Sequence, residues 1–272
     1  MPELPEAETI ARDLHPRLQE AKVTAVDVHH EDVLGRPGTG FGDALPGRVV
    51  AGVGRRGKNV VIAFQDEGRL LVNLGMTGRL VLSDAPGAAD CRHVAVRLLL
   101  QDGRSLLYDD VRRFGLLELF EPEEWPARDA ELGLEPLADD FTADALRDMT
   151  RRSRTPIRNF LLDQSKVAGV GNIYALEALF RAGIRPTRRA NRVTRAEATS
   201  LRNGIRDVLE EAIANRGTTF SDYRDAAGER GGFEPLLQVY GREGRPCTRC
   251  GTAIKRKVLT NRSAFYCPSC QR

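Results

Sequence analysis

No part of this 272-residue chain is apolar for long. Runs such as Leu98 to Leu100 are short and flanked by charge, far below the roughly 18 residues that a membrane-spanning helix requires. Glu3, Glu6 and Glu8 stand where a secretion signal would be basic and then apolar. These two absences predict a cytoplasmic protein. There is no internal repeat. The first half has little lysine: Lys58 is the only one after Lys22. Acid is missing from one end altogether, since Gly244 to Arg272 holds no Asp or Glu.

What remains is a soluble composition, 41% hydrophobic and 29% charged, on a chain long enough for two cores. The net charge of +3 says little by itself; its distribution says more. The acid-free end carries Arg245, Arg249, Lys255, Arg256, Lys257, Arg262 and Arg272, whereas Glu121 to Asp144 sets nine acids against Arg128 alone. The acidic stretch reads as a solvated face. The basic end reads as a surface for a polyanion.

Cys247, Cys250, Cys267 and Cys270 form the pattern C-x2-C-x16-C-x2-C. Four thiolates at this spacing suit a closed tetrahedral zinc site, hence one structural Zn2+. With no export signal, disulfides are not expected. The isolated Cys91 is expected to be a buried small hydrophobe. Ribbons of this type also occur in proteins of transcription and translation, so zinc alone does not define a function.

The expected fold is α+β and multidomain. Pro2 to Leu18 reads as a helix, with Pro and Glu crowding its first turn and Ile10, Leu14 and Leu18 on one face. Short strands follow at 23–26, 49–53, 59–64, 70–82, 93–100 and 105–108, with Asp102-Gly103 as a hairpin turn. Strands without intervening helices predict an antiparallel sandwich. After Pro122, Pro126 and Pro136 the period becomes helical, with helices over 142–150, 155–163, 172–182 and 195–216. Thr142 is expected to cap the first of these, and Pro156 to open the second. Thr218 to Glu234 reads as a mobile stretch.

Several groups stand out chemically. Removal of Met1 would leave a secondary amine on Pro2. An α-amine titrates near ~8, against ~10.4 for lysine, so roughly a tenth of it is neutral at pH 7. A helix N-terminus lowers the amine further. Glu3 is beside it for acid–base work. Either this is a nucleophile or it is an ordinary acidic helix start. Lys58 in a loop suits a phosphate. Met76, in Leu74-Gly75-Met76-Thr77-Gly78, and Arg112 and Phe114, in Arg112-Arg113-Phe114-Gly115, could enter a base stack or could simply pack. Lys166 to Asn172 is a glycine turn at a helix start, either an anion site or a packing corner.

Together these motifs resemble the formamidopyrimidine-DNA glycosylase family. The resemblance runs from Met1-Pro2-Glu3-Leu4-Pro5-Glu6 through Leu74 to Gly78, Asp110 to Gly115, Gly169 to Tyr174 and Gln238 to Arg242 to the four cysteines. It implies an N-terminal β-sandwich with flanking helices (1–120), an acidic linker (121–141), a helix-two-turn-helix domain (142–235) and a zinc finger (236–272). It implies a bifunctional glycosylase and AP lyase acting in the nucleoid, as a monomer, on double-stranded DNA with oxidised purines or abasic sites. Pro2 would form the Schiff base and Glu3 would move protons. Lys58 and Arg262 would assist at phosphates. Met76, Arg112 and Phe114 would fill the gap left by the flipped nucleotide. Asn172, Lys166 and His93 would contact DNA, and the stretch near Gly228 to Phe233 would close over the base. Leu4 matches the purine branch. Asn73 and Val111 depart from the family's usual His and Pro beside the wedge, and Ala7 from its usual Val. Two other readings are an endonuclease VIII-like pyrimidine glycosylase and a non-catalytic zinc-dependent binder of damaged DNA.

Overall fold

The computed structural model describes residues 2–35, 40–84, 91–219 and 229–272. Met1 and much of the stretch expected to be mobile lie outside the described residues. The chain divides into two compact units, Met1–Ala130 with Asn215–Gly232, and Glu131–Ala214 with Phe233–Arg272.

The first unit begins with helix α1 (Leu4–Leu18). Its start is two residues later than the sequence suggests, because Glu3 takes the extended backbone of an N-cap and so leaves Pro2 outside the helix. The expected face is present: Ile10, Leu14 and Leu18 are buried, and the helix packs on β2 (Val50–Arg56) and β3 (Asn59–Phe64). Each such side chain contributes on the order of 1.5–3 kcal/mol by leaving water.

Two four-stranded antiparallel sheets complete this unit. One has the order β1-β6-β7-β5, where β1 is Val23–Val28, β5 Arg79–Ser83, β6 Val94–Leu100 and β7 Ser105–Asp109. The other has the order β2-β3-β4-β8, where β4 is Arg69–Asn73 and β8 Leu116–Phe120. Both sheets and α1 share one core, with Leu80, Leu98 and Leu106 from the first sheet and Val60, Ile62 and Val72 from the second. The predicted strand over 70–82 is two strands, because Gly75 and Gly78 turn the chain between them and send it into the other sheet. Strand β8 was not visible as a strand in the sequence; its pairing with β4, Val72 opposite Leu117, forms it. The acidic stretch holds a short helix, α3 (Trp125–Ala130), and a helix of one turn, α2 (Phe41–Ala44), lies earlier. Cys91 is half-buried rather than buried; it precedes β6.

The second unit holds α4 (Ala143–Arg151), α5 (Ile157–Leu162), α6 (Asn172–Arg181) and α7 (Arg195–Ala214). Thr142 caps α4 as expected, accepting from the Ala145 amide at 3.1 Å. Pro156 is the N-cap of α5 rather than its first helical residue. Helix α7 stops at Ala214, because Arg216 and Gly217 take left-handed backbone with φ of 59° and 83°. A two-stranded ribbon, β9 (Lys255–Leu259) and β10 (Arg262–Tyr266), turns at Thr260 and Asn261. Leu176 and Phe180 of α6 share a small core with Val239, Cys247, Ile254, Ala264 and Cys267. Among the described residues no helix is long and apolar enough to cross a membrane.

Candidate DNA-contacting and catalytic sites

At the start of α1, Pro2 and Glu3 are both buried. Glu3 and Glu6 form a reciprocal capping box, in which the Glu3 amide donates to Glu6 Oε2 at 2.7 Å and the Glu3 side chain accepts from the Glu6 amide. The other oxygen, Glu6 Oε1, accepts from the Thr218 amide at 2.7 Å. Glu6, only 1% exposed, therefore ties the residues after Gly217 to the segment that bears Pro2. Glu6 is a site residue that sequence reasoning does not single out, although the Glu-x-x-Glu spacing is itself a capping signal.

Lys58 sits in the two-residue turn between β2 and β3, whose closing pair is Arg56 and Asn59. Behind it Asn59 Nδ2 donates to the Arg56 carbonyl at 3.0 Å, and Asn59 Oδ1 accepts from Asn73 Nδ2 at 2.7 Å. Asn73 Oδ1 in turn accepts from the Gly75 amide at 2.9 Å. A run of carboxamides thus links the lysine turn to the Met76 turn, through the residue that departs from the family's usual His.

Met76, Arg112 and Phe114 are exposed, and their two turns are in contact. A Cβ on Gly75, which has φ of 58°, would lie 2.5 Å from the Phe114 carbonyl carbon, and one on Gly115 would lie 1.6 Å from the Tyr108 hydroxyl. Only glycine permits this approach. The Arg112 guanidinium lies 4.6 Å over the Phe114 ring. Between them Arg113 takes left-handed backbone, φ 52°, which is uncommon for a residue with a side chain. His93, also exposed, begins the path into β6, and its amide donates to Asp109 Oδ1 at 2.6 Å.

In the second unit Asn172 opens α6. Its Oδ1 accepts from Arg158 Nε at 3.0 Å and Nη2 at 2.8 Å, and its Nδ2 donates to the Ser263 carbonyl of β10 at 3.0 Å. Arg158 also donates to the Leu259 carbonyl at 3.1 Å. Arg158, 1% exposed, was not singled out from sequence; nothing distinguishes it there from its many arginine neighbours. Burial first, then the charge of Arg262, push its guanidinium below the usual arginine range. Two cations facing one cleft of about 380 Å3, lined also by Asn159, Leu162, Asp163 and Thr260, suit an anion. Lys166 lies on the preceding turn, 3.4 Å from Ser165 Oγ. Gln164 holds that turn, accepting from the Gly169 amide at 2.8 Å and donating to the Val170 carbonyl at 2.9 Å.

The sulfur atoms of Cys247, Cys250, Cys267 and Cys270 all lie within 4.8 Å of one another, with Cys250 to Cys267 at 3.5 Å and Cys247 to Cys270 at 4.0 Å. Tetrahedral Zn–S bonds of about 2.3 Å imply sulfur–sulfur edges of about 3.8 Å, whereas a disulfide would require about 2.05 Å. The donor set therefore fits one zinc ion. Hydrogen bonding to Cys250, and then burial, push the Cys270 thiol up to about 12. The Thr252 hydroxyl is the main cause that draws Cys250 down to about 6. Gln271 secures the cluster, accepting from the Cys267 amide and donating to the Ile184 carbonyl, both at 2.8 Å.

A β-sandwich with a buried N-terminal Pro–Glu pair, joined in one chain to a helical unit closed by a zinc ribbon, defines a class of zinc-containing proteins built to meet a polyanion. Residues 1–117 match the pattern described as Formamidopyrimidine-DNA glycosylase N-terminal domain, residues 132–224 the Formamidopyrimidine-DNA glycosylase H2TH domain, and residues 244–272 the Zinc finger found in FPG and IleRS. The chain belongs to the formamidopyrimidine-DNA glycosylase family.

The formamidopyrimidine-DNA glycosylase of Chloroflexus aggregans is 43% identical over 272 residues, covering 100% of this chain and 98% of the relative. That of Moorella thermoacetica is 47% identical over 261 residues, 94% of each. Among solved structures, the MutM (FPG) protein of Thermus thermophilus superposes with a TM-score of 0.88 at 38% identity, over 99% of this chain and 98% of that one. The Lactococcus lactis Fpg in complex with DNA containing an abasic site gives 0.91 at 32% identity, over 99% of each chain.

Proposed function

We propose that this chain is a base-excision-repair enzyme, a glycosylase that removes oxidised purines such as 8-oxoguanine and formamidopyrimidines from double-stranded DNA and then cleaves the abasic strand as an AP lyase. The observation that carries the reading is the buried Pro2–Glu3 pair at the head of α1, in a chain that aligns with its relatives from end to end. Neither a pyrimidine-directed enzyme nor a zinc-dependent binder without chemistry is favoured by any relative or contact described above. Action on chromosomal DNA places the protein in the cytoplasm, at the nucleoid.

With Met1 removed, the Pro2 nitrogen is a neutral secondary amine in a fraction of molecules at pH 7. It attacks C1′ of the damaged nucleotide, and the bond from C1′ to the base breaks, the base leaving as an anion that takes a proton from solvent. The amine's own proton passes through Glu3 to O4′ as the sugar ring opens, giving an iminium. This cation withdraws electrons, so the C2′ proton is lost and the 3′ phosphate departs. A second elimination releases the 5′ phosphate, and water hydrolyses the remaining iminium to free Pro2. Lys58 and Arg262 hold phosphates and assist proton transfer. Asn172 and Lys166 hold the backbone beside Arg158. Met76, Arg112 and Phe114 enter the stack, with Arg112 facing the orphaned cytosine, and His93 borders them. The four cysteines hold the zinc, which when bound fixes the ribbon that presents Arg262. The working division is a catalytic sandwich (1–120), linker (121–141), helical domain (142–235) and finger (236–272); the matched ranges 1–117, 132–224 and 244–272 support its order, whereas the compact units group 215–232 with the sandwich and 131–141 with the helices.

Borohydride trapping tests the chemistry. Zinc-loaded protein with Met1 removed, as checked by N-terminal mass spectrometry, is expected to form a covalent adduct with an abasic or 8-oxoguanine duplex, and Pro2→Gly to form none. Absence of an adduct from the wild-type protein overturns the reading.

A further inference from the structure

Asp110 follows β7 and is 1% exposed, yet it touches every part of the tip that carries the exposed Met76, Arg112, Phe114 and His93. Its Oδ1 accepts from the Thr77 hydroxyl at 2.5 Å and from the Arg112 amide at 3.2 Å. Its Oδ2 accepts from the Tyr108 hydroxyl and from the Gly115 amide, each at 3.0 Å. Its own amide donates to the His93 carbonyl at 3.0 Å. Thr77 closes the loop, accepting from the Arg112 amide at 3.2 Å. Burial first, and Asp110 second, push the Tyr108 phenol well above its ordinary value, so it remains a donor.

We propose that Asp110 is the positioning residue of the inserting tip: its side chain fastens the Met76 turn, the Arg112–Phe114 loop and the approach to β6 into one rigid body. The proposal rests on the function proposed above. Strand pairing reaches only the feet of the two turns, Asn73 with Leu116 and Arg79 with Asp109. The exposed side chains sit on two separate turns between strands, and the backbone bond within the first turn, from the Gly78 amide to the Leu74 carbonyl at 2.9 Å, does not reach the second. The Arg112 amide, which donates to both Asp110 and Thr77, and the Gly115 amide bracket the left-handed Arg113 from either side. A carboxylate has the acceptor capacity for all four donors at once; a carboxamide presents a donor on one side and meets two of them with the wrong polarity. Pre-organisation matters here because a side chain replacing a stacked base must arrive already in place. Asp110 touches no substrate and acts through the groups it holds.

The test uses the full zinc-loaded protein and a duplex bearing a tetrahydrofuran abasic analogue beside 2-aminopurine, whose fluorescence rises when it unstacks. Wild-type protein is expected to raise the signal severalfold. Asp110→Asn is expected to abolish most of the rise, and to slow single-turnover excision from an 8-oxoguanine duplex at least tenfold more than borohydride trapping on a single-stranded abasic oligonucleotide, where there is no stack to enter. Should Asp110→Asn fold poorly, Thr77→Val removes the hydroxyl that bonds both Asp110 and the Arg112 amide and is expected to halve the signal, with Thr77→Ser restoring it. A folded Asp110→Asn, or a Thr77→Val, with the full wild-type signal and an unchanged duplex-to-single-strand ratio overturns the role of Asp110 alone. A wild-type protein that neither raises the signal nor traps abasic DNA overturns the proposed function, and the role with it.

Discussion

Two tips of this chain are held firm by opposite means. In the first unit the turns bearing Met76, Arg112 and Phe114 stand on a large apolar core, and a buried acid gathers their amides and hydroxyls. In the second unit the turn bearing Arg262 belongs to a ribbon whose strand β9 is almost wholly exposed. Its core is a handful of side chains around Leu176 and Phe180. Such a module cannot bury enough surface to stay folded by itself, so a metal supplies what the core does not. Each tip is vulnerable in its own way: one to loss of a packed side chain, the other to loss of an ion.

The largest expected effect sharpens that contrast. Chelating the zinc, or Cys267→Ser, removes on the order of 10 kcal/mol from the ribbon. Residues 244–272 should become open to protease while the sandwich keeps its thermal transition, and DNA binding should be lost. Concerted melting of both units would show that the sandwich depends on the metal as well. Because Cys270 holds its proton to about 12 without metal, binding the ion must release protons. Zinc affinity is therefore expected to fall as the pH is lowered, read by competition with a chromophoric chelator.

The reverse experiment is Leu14→Ala. The side chain is fully buried in the sandwich core, and the expected cost is about 2–5 kcal/mol. The sandwich transition should drop while the zinc content stays at one per chain. Smaller again is Arg158→Met, which deprives Asn172 Oδ1 and the Leu259 carbonyl of their donor. A loss of about 1–3 kcal/mol is expected, confined to the second unit, with weaker DNA binding. The least stability change belongs to exposed Arg262→Ala, within about 0.5 kcal/mol. Its signature is a salt dependence of binding flatter by about one unit of slope. An unchanged slope removes Arg262 from the phosphate contacts.

The cysteine spacing, the apolar face of α1 and the Asp102-Gly103 turn were legible in sequence because each is a local pattern, set within a few residues. So was the presence of a sandwich, from its many short strands. Strand β8 was not, since its five residues show no clear alternation until β4 lies beside them. The fastening groups were hidden for the same reason. Thr77 and Asp110 are 33 positions apart, Arg158 and the Leu259 carbonyl 101, and Glu6 and Thr218 212. Their pairing is a property of the folded chain. Side chains that reach solvent with unusual chemistry, such as Lys58 and Met76, announced themselves; the buried groups that aim them did not.

The one tryptophan of the chain has a practical consequence. Trp125 lies half-buried in α3 of the first unit, edge-on to Phe120 with ring centroids 6.0 Å apart. From 244 onward the metal-dependent ribbon holds Phe265 and Tyr266 but no tryptophan. Indole emission excited at the red edge therefore reports on the first unit, and nature has provided a label-free optical channel through which that unit can be watched apart from the second.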